Sequence, residues 1–202
     1  MSKPYDPRDR FFRKAKAEGL RARSAYKLDE IQKRYRLFKS GDAVLDLGAA
    51  PGGFLQIIAR IVGPSGLAIG IDLEPIPAIA PNVRTIALDI YADVSRARLL
   101  ELAGRPFDAV TSDMAPKTTG IRATDEARSL ALAQRALELT RLCARPGAHF
   151  ACKLFMGGET KNYERVVREG FEEVRIVRPE ATRQRSFEIY VVGLRMRSRA
   201  KV

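Results

Sequence analysis

Cysteine and histidine are scarce in this chain. Only Cys143 and Cys152 are present, both in apolar surroundings, and His149 stands alone. Two such thiols read as reduced, buried side chains, so neither a disulfide nor a metal site is expected. A single histidine excludes a His-rich metal centre. No apolar run approaches the ~20 residues that a membrane-spanning helix needs. The first residues are charged where a secretory signal would carry an apolar core. No internal repeat, low-complexity segment or dividing linker interrupts the 202 residues. These absences lead to the expectation of one domain, 1–202, cytoplasmic and monomeric, long enough to bury a core and without a membrane partner.

Positive charge, by contrast, is abundant, with a formal net of +12. Its distribution says more than its size. Residues 1–40 hold 13 Lys and Arg against 5 Asp and Glu, a balance of +8, and residues 175–202 hold 8 against 2, a balance of +6. The stretch between holds 15 against 17, a balance of −2. A near-neutral body, 41–194, thus lies between a basic N-terminal helical extension, 1–40, and a basic tail, 195–202. Tyr5, Phe11, Phe12, Tyr26, Tyr35 and Phe38 interleave with the N-terminal cations. Basic residues mixed with aromatics fit a nucleic-acid surface, since cations meet phosphates and rings stack on bases.

The centre of the chain is Val44–Leu45–Asp46–Leu47–Gly48–Ala49–Ala50–Pro51–Gly52–Gly53–Phe54. An apolar run ends in an acid, a loop of small residues follows, and Leu55, Ile57, Ile58, Ile61 and Val62 begin a helical pattern. That order predicts strand, tight turn and helix. Glycines let a ligand approach bare backbone, and the helix start offers unpaired N–H groups. A dinucleotide fingerprint needs a second glycine where Ala50 stands, which disfavours pyrophosphate. Asp72 ends the next apolar run about 20 residues on, where an acid accepts hydrogen bonds from ribose hydroxyls. A ribose-bearing ligand without a phosphate requirement fits, and S-adenosylmethionine is one.

Further strands are expected over Val83–Leu88, Phe107–Asp113, Ala148–Phe155, Glu173–Val177 and Phe187–Leu194. Helices are expected over Arg8–Ala17, after a Ser24 cap, over Asp93–Ala103, after a Thr124 cap, and over Glu159–Glu169. Residues 1–7 read as irregular. Alternating strands and helices predict an α/β fold with a mostly parallel sheet covered on both faces, whose ligands bind at the carboxyl ends of strands. The glycine loop, Asp72, Asp89 and Asp113 all fall at such ends. Asp89 can meet an adenine amino group or merely cap the next turn. On the residues alone Lys27 reads as a surface lysine, Lys153 as a snorkelling strand lysine and Glu188 as a solvent-facing strand residue.

Four patterns together resemble one family. They are Ser24–Ala25–Tyr26–Lys27–Leu28–Asp29–Glu30–Ile31, Asp46 to Phe54, Ser112–Asp113–Met114–Ala115–Pro116 and Arg185–Ser186–Phe187–Glu188–Ile189–Tyr190. With order and spacing intact over nearly the whole chain, it is similar to the FtsJ (RrmJ, RlmE) family of RNA ribose 2′-O-methyltransferases. The resemblance implies a Rossmann-like methyltransferase sheet of seven strands, the last antiparallel, and S-adenosylmethionine as methyl donor. It implies Lys27, Asp113, Lys153 and Glu188 as the catalytic set. It places Gly52, Phe54, Asp72, Asp89 and Asp113 at the cofactor. It also implies a uridine ribose of large-subunit (23S) ribosomal RNA, within the large subunit, as acceptor. Phe54 stands where many relatives carry Trp, and Leu154–Phe155–Met156–Gly157–Gly158–Glu159–Thr160 departs from a more usual Phe–Gln–Gly pattern.

The residue types suit that chemistry. Methyl transfer from a sulfonium is an in-line displacement, so positioning and removal of the hydroxyl proton carry the work. A lysine takes a proton only when neutral, a form that burial and a neighbouring cation favour and carboxylates oppose. Three rival readings stay open at this point. One is a transfer-RNA anticodon-loop 2′-O-methyltransferase. Another is a catalytically silent RNA-binding ribosome-assembly factor. The third is an NAD-dependent dehydrogenase, which Ala50 and the basic ends disfavour.

Overall fold

The computed structural model describes residues 10–92 and 96–198. Residues 1–9, including Tyr5 and the start of the expected first helix, lie outside the described residues, as do 93–95 and 199–202. The elements run α1 (Arg10–Ala17), α2 (Ala25–Tyr35), β1 (Ala43–Leu47), α3 (Gly53–Val62), β2 (Leu67–Asp72), β3 (Val83–Ala87) and α4 (Arg96–Ala103). They continue as β4 (Phe107–Ser112), α5 (Arg122–Cys143), β5 (Ala144–Phe155), α6 (Thr160–Gly170), β6 (Phe171–Val177) and β7 (Glu188–Met196).

One seven-stranded sheet has the order β3-β2-β1-β4-β5-β7-β6. The first five strands are parallel, and β7 runs antiparallel to both neighbours. Strand order reverses between β1 and β4, the switch point at which sheets of this kind open a ligand crevice. Because β7 is reversed, its first residue lies at the same edge as the carboxyl ends of β1 to β5. Among the described residues, no helix is long and apolar enough to cross a membrane.

Alternation along the strands divides the core between the two faces. Leu45 and Leu47 of β1, Phe150 and Cys152 of β5, and Ile189 and Val191 of β7 pack with Ala136, Leu137 and Val167 of α5 and α6. Val44, Ala151, Tyr190 and Val192 pack instead with Leu28 and Ile31 of α2 and Phe54, Leu55 and Ile58 of α3. Lys153 alternates with the second set, so α2 covers the face to which it belongs. Both cysteines are buried and free, as expected.

Several boundaries and caps differ from the sequence reading. Ser24 precedes α2, but its backbone is already helical and its side chain makes no cap bond. Thr124 does not start its helix: α5 begins at Arg122 after an extended Ile121. The Asp125 carboxylate instead accepts from the Thr119 and Gly120 amides and the Thr119 hydroxyl, tying the preceding loop to the helix. Arg195 and Met196, assigned to the basic tail, extend β7, because Met196 pairs with Phe171.

Candidate active site

The glycine loop is held to β2 by backbone bonds. Gly48 and Ala49 amides donate to the Ile71 carbonyl at 2.9 and 3.2 Å. The Ala50 amide donates to Asp72 Oδ2 at 2.8 Å, and the Glu74 amide to Asp72 Oδ1 at 3.0 Å. Gly48 has a φ of +73°, and a Cβ there would collide with Met114. Gly52 has a φ of +108°, and a Cβ there would lie 2.7 Å from Ile79 Cδ1. Absent side chains therefore let the loop close against the segments after β2 and β4. Beyond Gly52, the first amides of α3 lack intrahelical acceptors.

Acids surround this loop. Asp46 is fully buried. Its Oδ1 accepts from the Thr111 hydroxyl at 2.7 Å, while Oδ2 has no partner. Burial first, and then the charges of Asp113 and Asp72, push its carboxyl well above the ordinary range. A crowd of carboxylates with an unsatisfied buried oxygen repels phosphate and suits a cation. S-adenosylmethionine, with its sulfonium and ammonium groups, fits that electrostatic demand, and Asp72 keeps acceptor capacity for its ribose. Asp89 is exposed, and its Oδ1 accepts from the Tyr91 amide at 2.9 Å, so it does cap its turn. The Leu88 amide donates to the Asp72 carbonyl, so both acids lie at the carboxyl ends of neighbouring strands.

Two buried lysines lie at the carboxyl edge on the β4–β7 side of the switch point. Lys153 is 7% exposed and Lys27 only 6%, so Lys27 is not the surface lysine, nor Lys153 the snorkelling one, that the residues alone suggest. Lys153 Nζ lies 3.0 Å from Asp113 Oδ1 and donates to the Asp113 carbonyl. Lys27 Nζ pairs with Glu188 Oε1. The pair forms because α2 lies over the Tyr190 face of the sheet and β7 begins at its carboxyl edge. Burial raises the Asp113 pKa, but the cations of Lys153 and Lys27 and the Tyr190 hydroxyl outweigh it and hold the carboxyl below its ordinary range.

All four residues of the expected catalytic set thus sit at one edge, beside the glycine loop. The Phe54 ring, at the start of α3, is 3% exposed and stacks on Tyr190 with 6.4 Å between ring centroids. Two residues escape the sequence reading. Tyr190 donates its hydroxyl to Asp113 Oδ1 at 2.5 Å; its place two residues after Glu188, on the same face, is a usable signal. Arg21 grips the Pro51, Pro77 and Ala78 carbonyls at 3.3, 2.7 and 2.6 Å and so fastens the loop. Nothing distinguishes it in sequence from its many basic neighbours.

Comparison with known proteins agrees with this geometry. The family model for FtsJ-like methyltransferases matches residues 20–196. A Myxococcus xanthus protein named ribosomal RNA large subunit methyltransferase E is 58% identical over 98% of this chain and 93% of its own. A Syntrophobacter fumaroxidans protein of the same name is 48% identical over 96% and 98%. The solved structure of a Plasmodium falciparum ribosomal RNA methyltransferase aligns with a TM-score of 0.77 at 26% identity, covering 89% of this chain and all of that one. With the switch-point crevice, the glycine loop and the paired lysines in place, the chain belongs to the FtsJ-like methyltransferase family.

Proposed function

We propose that this chain transfers a methyl group from S-adenosylmethionine to a ribose 2′-hydroxyl of large-subunit (23S) ribosomal RNA, with a uridine as acceptor. In this reading it acts as a cytoplasmic monomer on RNA within the large subunit. The observation that carries the proposal is the pair of buried lysine–carboxylate contacts, Lys153–Asp113 and Lys27–Glu188, beside the glycine loop. The names of the similar proteins supply the class of RNA.

When bound, S-adenosylmethionine supplies an electrophilic methyl on sulfur. The Gly48–Gly53 backbone, Asp72 and Asp89 would hold its nucleoside, and Asp46 and Asp113 would face its positive charge. Lys153 takes the proton from the 2′-hydroxyl as the oxygen attacks. The carboxylate and carbonyl of Asp113 fix the Lys153 nitrogen at one position, and Tyr190 fixes Asp113. Lys27, oriented by Glu188, sets a positive charge at the same edge. Its cation lowers the cost of an electron-rich ribose oxygen. Alignment and proton removal are all that a displacement at methyl asks of the protein.

The test is transfer of labelled methyl to purified large ribosomal subunits and to transfer RNA. Label that enters the large subunit and maps to a 2′-O-methylribose is the expected outcome. Label in transfer RNA would keep the chemistry and move the substrate. Tight cofactor binding with no label in either RNA would favour the assembly-factor reading.

A further inference from the structure

A second feature of the carboxyl edge takes no part in the chemistry above. Phe187 is 48% exposed, immediately before Glu188, and Met156 beside it is 44% exposed. The Met156 amide donates to the Phe187 carbonyl, so the two form one ledge. Between this ledge and the first turn of α5 lies a cavity of about 280 Å³ lined by Thr118, Arg122, Glu126, Phe155 and Phe187.

A lone exposed phenylalanine is ordinary, but this one is built into a chain of fixed contacts. The Arg122 guanidinium lies over the Phe187 ring, 4.3 Å from its centroid. Its Nε donates to Glu126 Oε1 at 2.6 Å. The Glu126 carboxylate occupies the space that a Cβ at Gly157 would fill. Gly157 therefore seats Glu126, Glu126 orients Arg122, and Arg122 backs the ring. This also gives Gly157, in the unusual Met156–Gly157–Gly158 loop, a steric reason. Asp125 adds no free acceptor, since its carboxylate is taken up by Thr119 and Gly120.

We propose that Phe187 and Arg122 form a stacking site for an unpaired RNA base beside the acceptor ribose, a proposal that rests on the reading that RNA is the substrate. An aromatic ring and a guanidinium plane are the two side-chain surfaces on which splayed bases stack. The volume falls just under the ~300 Å³ lower bound of ordinary ligand pockets, which suits one ring system rather than a paired helix. Position agrees: Phe155, in the cavity wall, pairs across the sheet with Glu188, and Lys153 pairs with Tyr190. Two residues of strand, about 7 Å, separate the two pairs. A strand of RNA crossing this edge thus meets the lysines with its ribose and the ledge with a base.

The chain has no tryptophan, which permits a direct test. A Phe187→Trp variant of the full chain carries a single indole at the ledge. Its fluorescence is expected to be quenched by a short single-stranded ribo-oligonucleotide and left unchanged by an abasic oligomer of the same length, with binding of both followed by anisotropy. Equal responses to the two oligomers, or none while both bind, would overturn the proposal. In methyl transfer, Phe187→Ala is expected to lose roughly 5- to 150-fold in kcat/KM for RNA, the contribution of one stacked base. Affinity for S-adenosylmethionine should stay unchanged, and Phe187→Tyr should restore the loss. Wild-type kcat/KM in Phe187→Ala would sink the stacking site and leave the methyltransferase reading intact. A wild-type protein that methylates no RNA would instead sink the methyltransferase reading.

Discussion

The two sides of the β1/β4 crevice are constructed from different materials. On the β1–β3 side the site is made of backbone: glycines that close against neighbouring segments, amides that hold Asp72, and three carbonyls gripped by Arg21. On the β4–β7 side it is made of buried side-chain charges, Lys153 with Asp113 and Lys27 with Glu188. A backbone site depends on what is absent, since an added Cβ is the damage. A side-chain site depends on what is present and on its partner. Cofactor holding and chemistry should therefore fail separately, and by different kinds of substitution.

The largest departure from that separation is expected on the charged side. Lys27→Met leaves Glu188 nearly buried without its cation, and breaking a buried pair in this way costs about 3 kcal/mol or more of stability. Denaturant unfolding checks it. The double variant Lys27→Met, Glu188→Leu should regain much of that stability but none of the methyl transfer. A double variant as unstable as the single one would show that the pair is held by something other than mutual charge. On the backbone side, Gly48→Ala is expected to cost about 1–3 kcal/mol, through strain at positive φ and collision with Met114, and to weaken cofactor binding as well. Gly104, also at positive φ but with open space around it, is the control: Gly104→Ala should show the strain alone, without the effect on binding.

A smaller effect joins the two sides. Burial pushes the Asp46 carboxyl well above the ordinary carboxylate range, while the Lys153 and Lys27 cations hold that of Asp113 below it despite burial. A cationic cofactor among these acids favours ionised Asp46. Binding is therefore expected to release a proton, and affinity to rise with pH between the ordinary carboxylate value of ~4 and the raised value of Asp46. Calorimetric enthalpies that differ between two buffers of unequal ionisation enthalpy, and converge in Asp46→Asn, would show it. Stability has the matching signs. The contribution of Asp113 is present above the unfolded carboxylate value and lost as pH falls through its lowered one. Asp46 works against folding as pH rises from ~4 toward its raised value. The smallest effect marks the boundary of the comparison. Lys33, 75% exposed and paired with Asp29 on one helix, can be replaced by Ala for under about 0.5 kcal/mol.

The same contrast decides what is legible in the sequence. Asp46 to Phe54 is contiguous, and the alternation of apolar runs with helical patterns is local, so the strand–loop–helix unit and the acids at strand ends follow from spacing. The seventh strand's direction does not, because antiparallel pairing with β5 is a tertiary fact. Nor does the burial of Lys27 or Glu188. Each gains its meaning from a partner at the other end of the chain, and only the family resemblance draws them together. Phe54 belongs to both kinds: its place in the contiguous loop follows from spacing, while the packing of its ring against Tyr190 is a tertiary fact. Thr124 looks like a cap and is not one, because Asp125 ties down the loop before the helix from one turn inside it.

The separation of holding from chemistry is tested most directly by measuring, on one preparation of Lys153→Ala, the affinity for S-adenosylmethionine and the single-turnover rate of methyl transfer to large ribosomal subunits. Affinity is expected to stay within about threefold of that of the unsubstituted chain. The rate is expected to fall by a factor of about 10² to 10⁴, the range for loss of a positioned proton acceptor. A rate that survives the substitution, or an affinity that collapses with it in a protein still folded, would contradict the account.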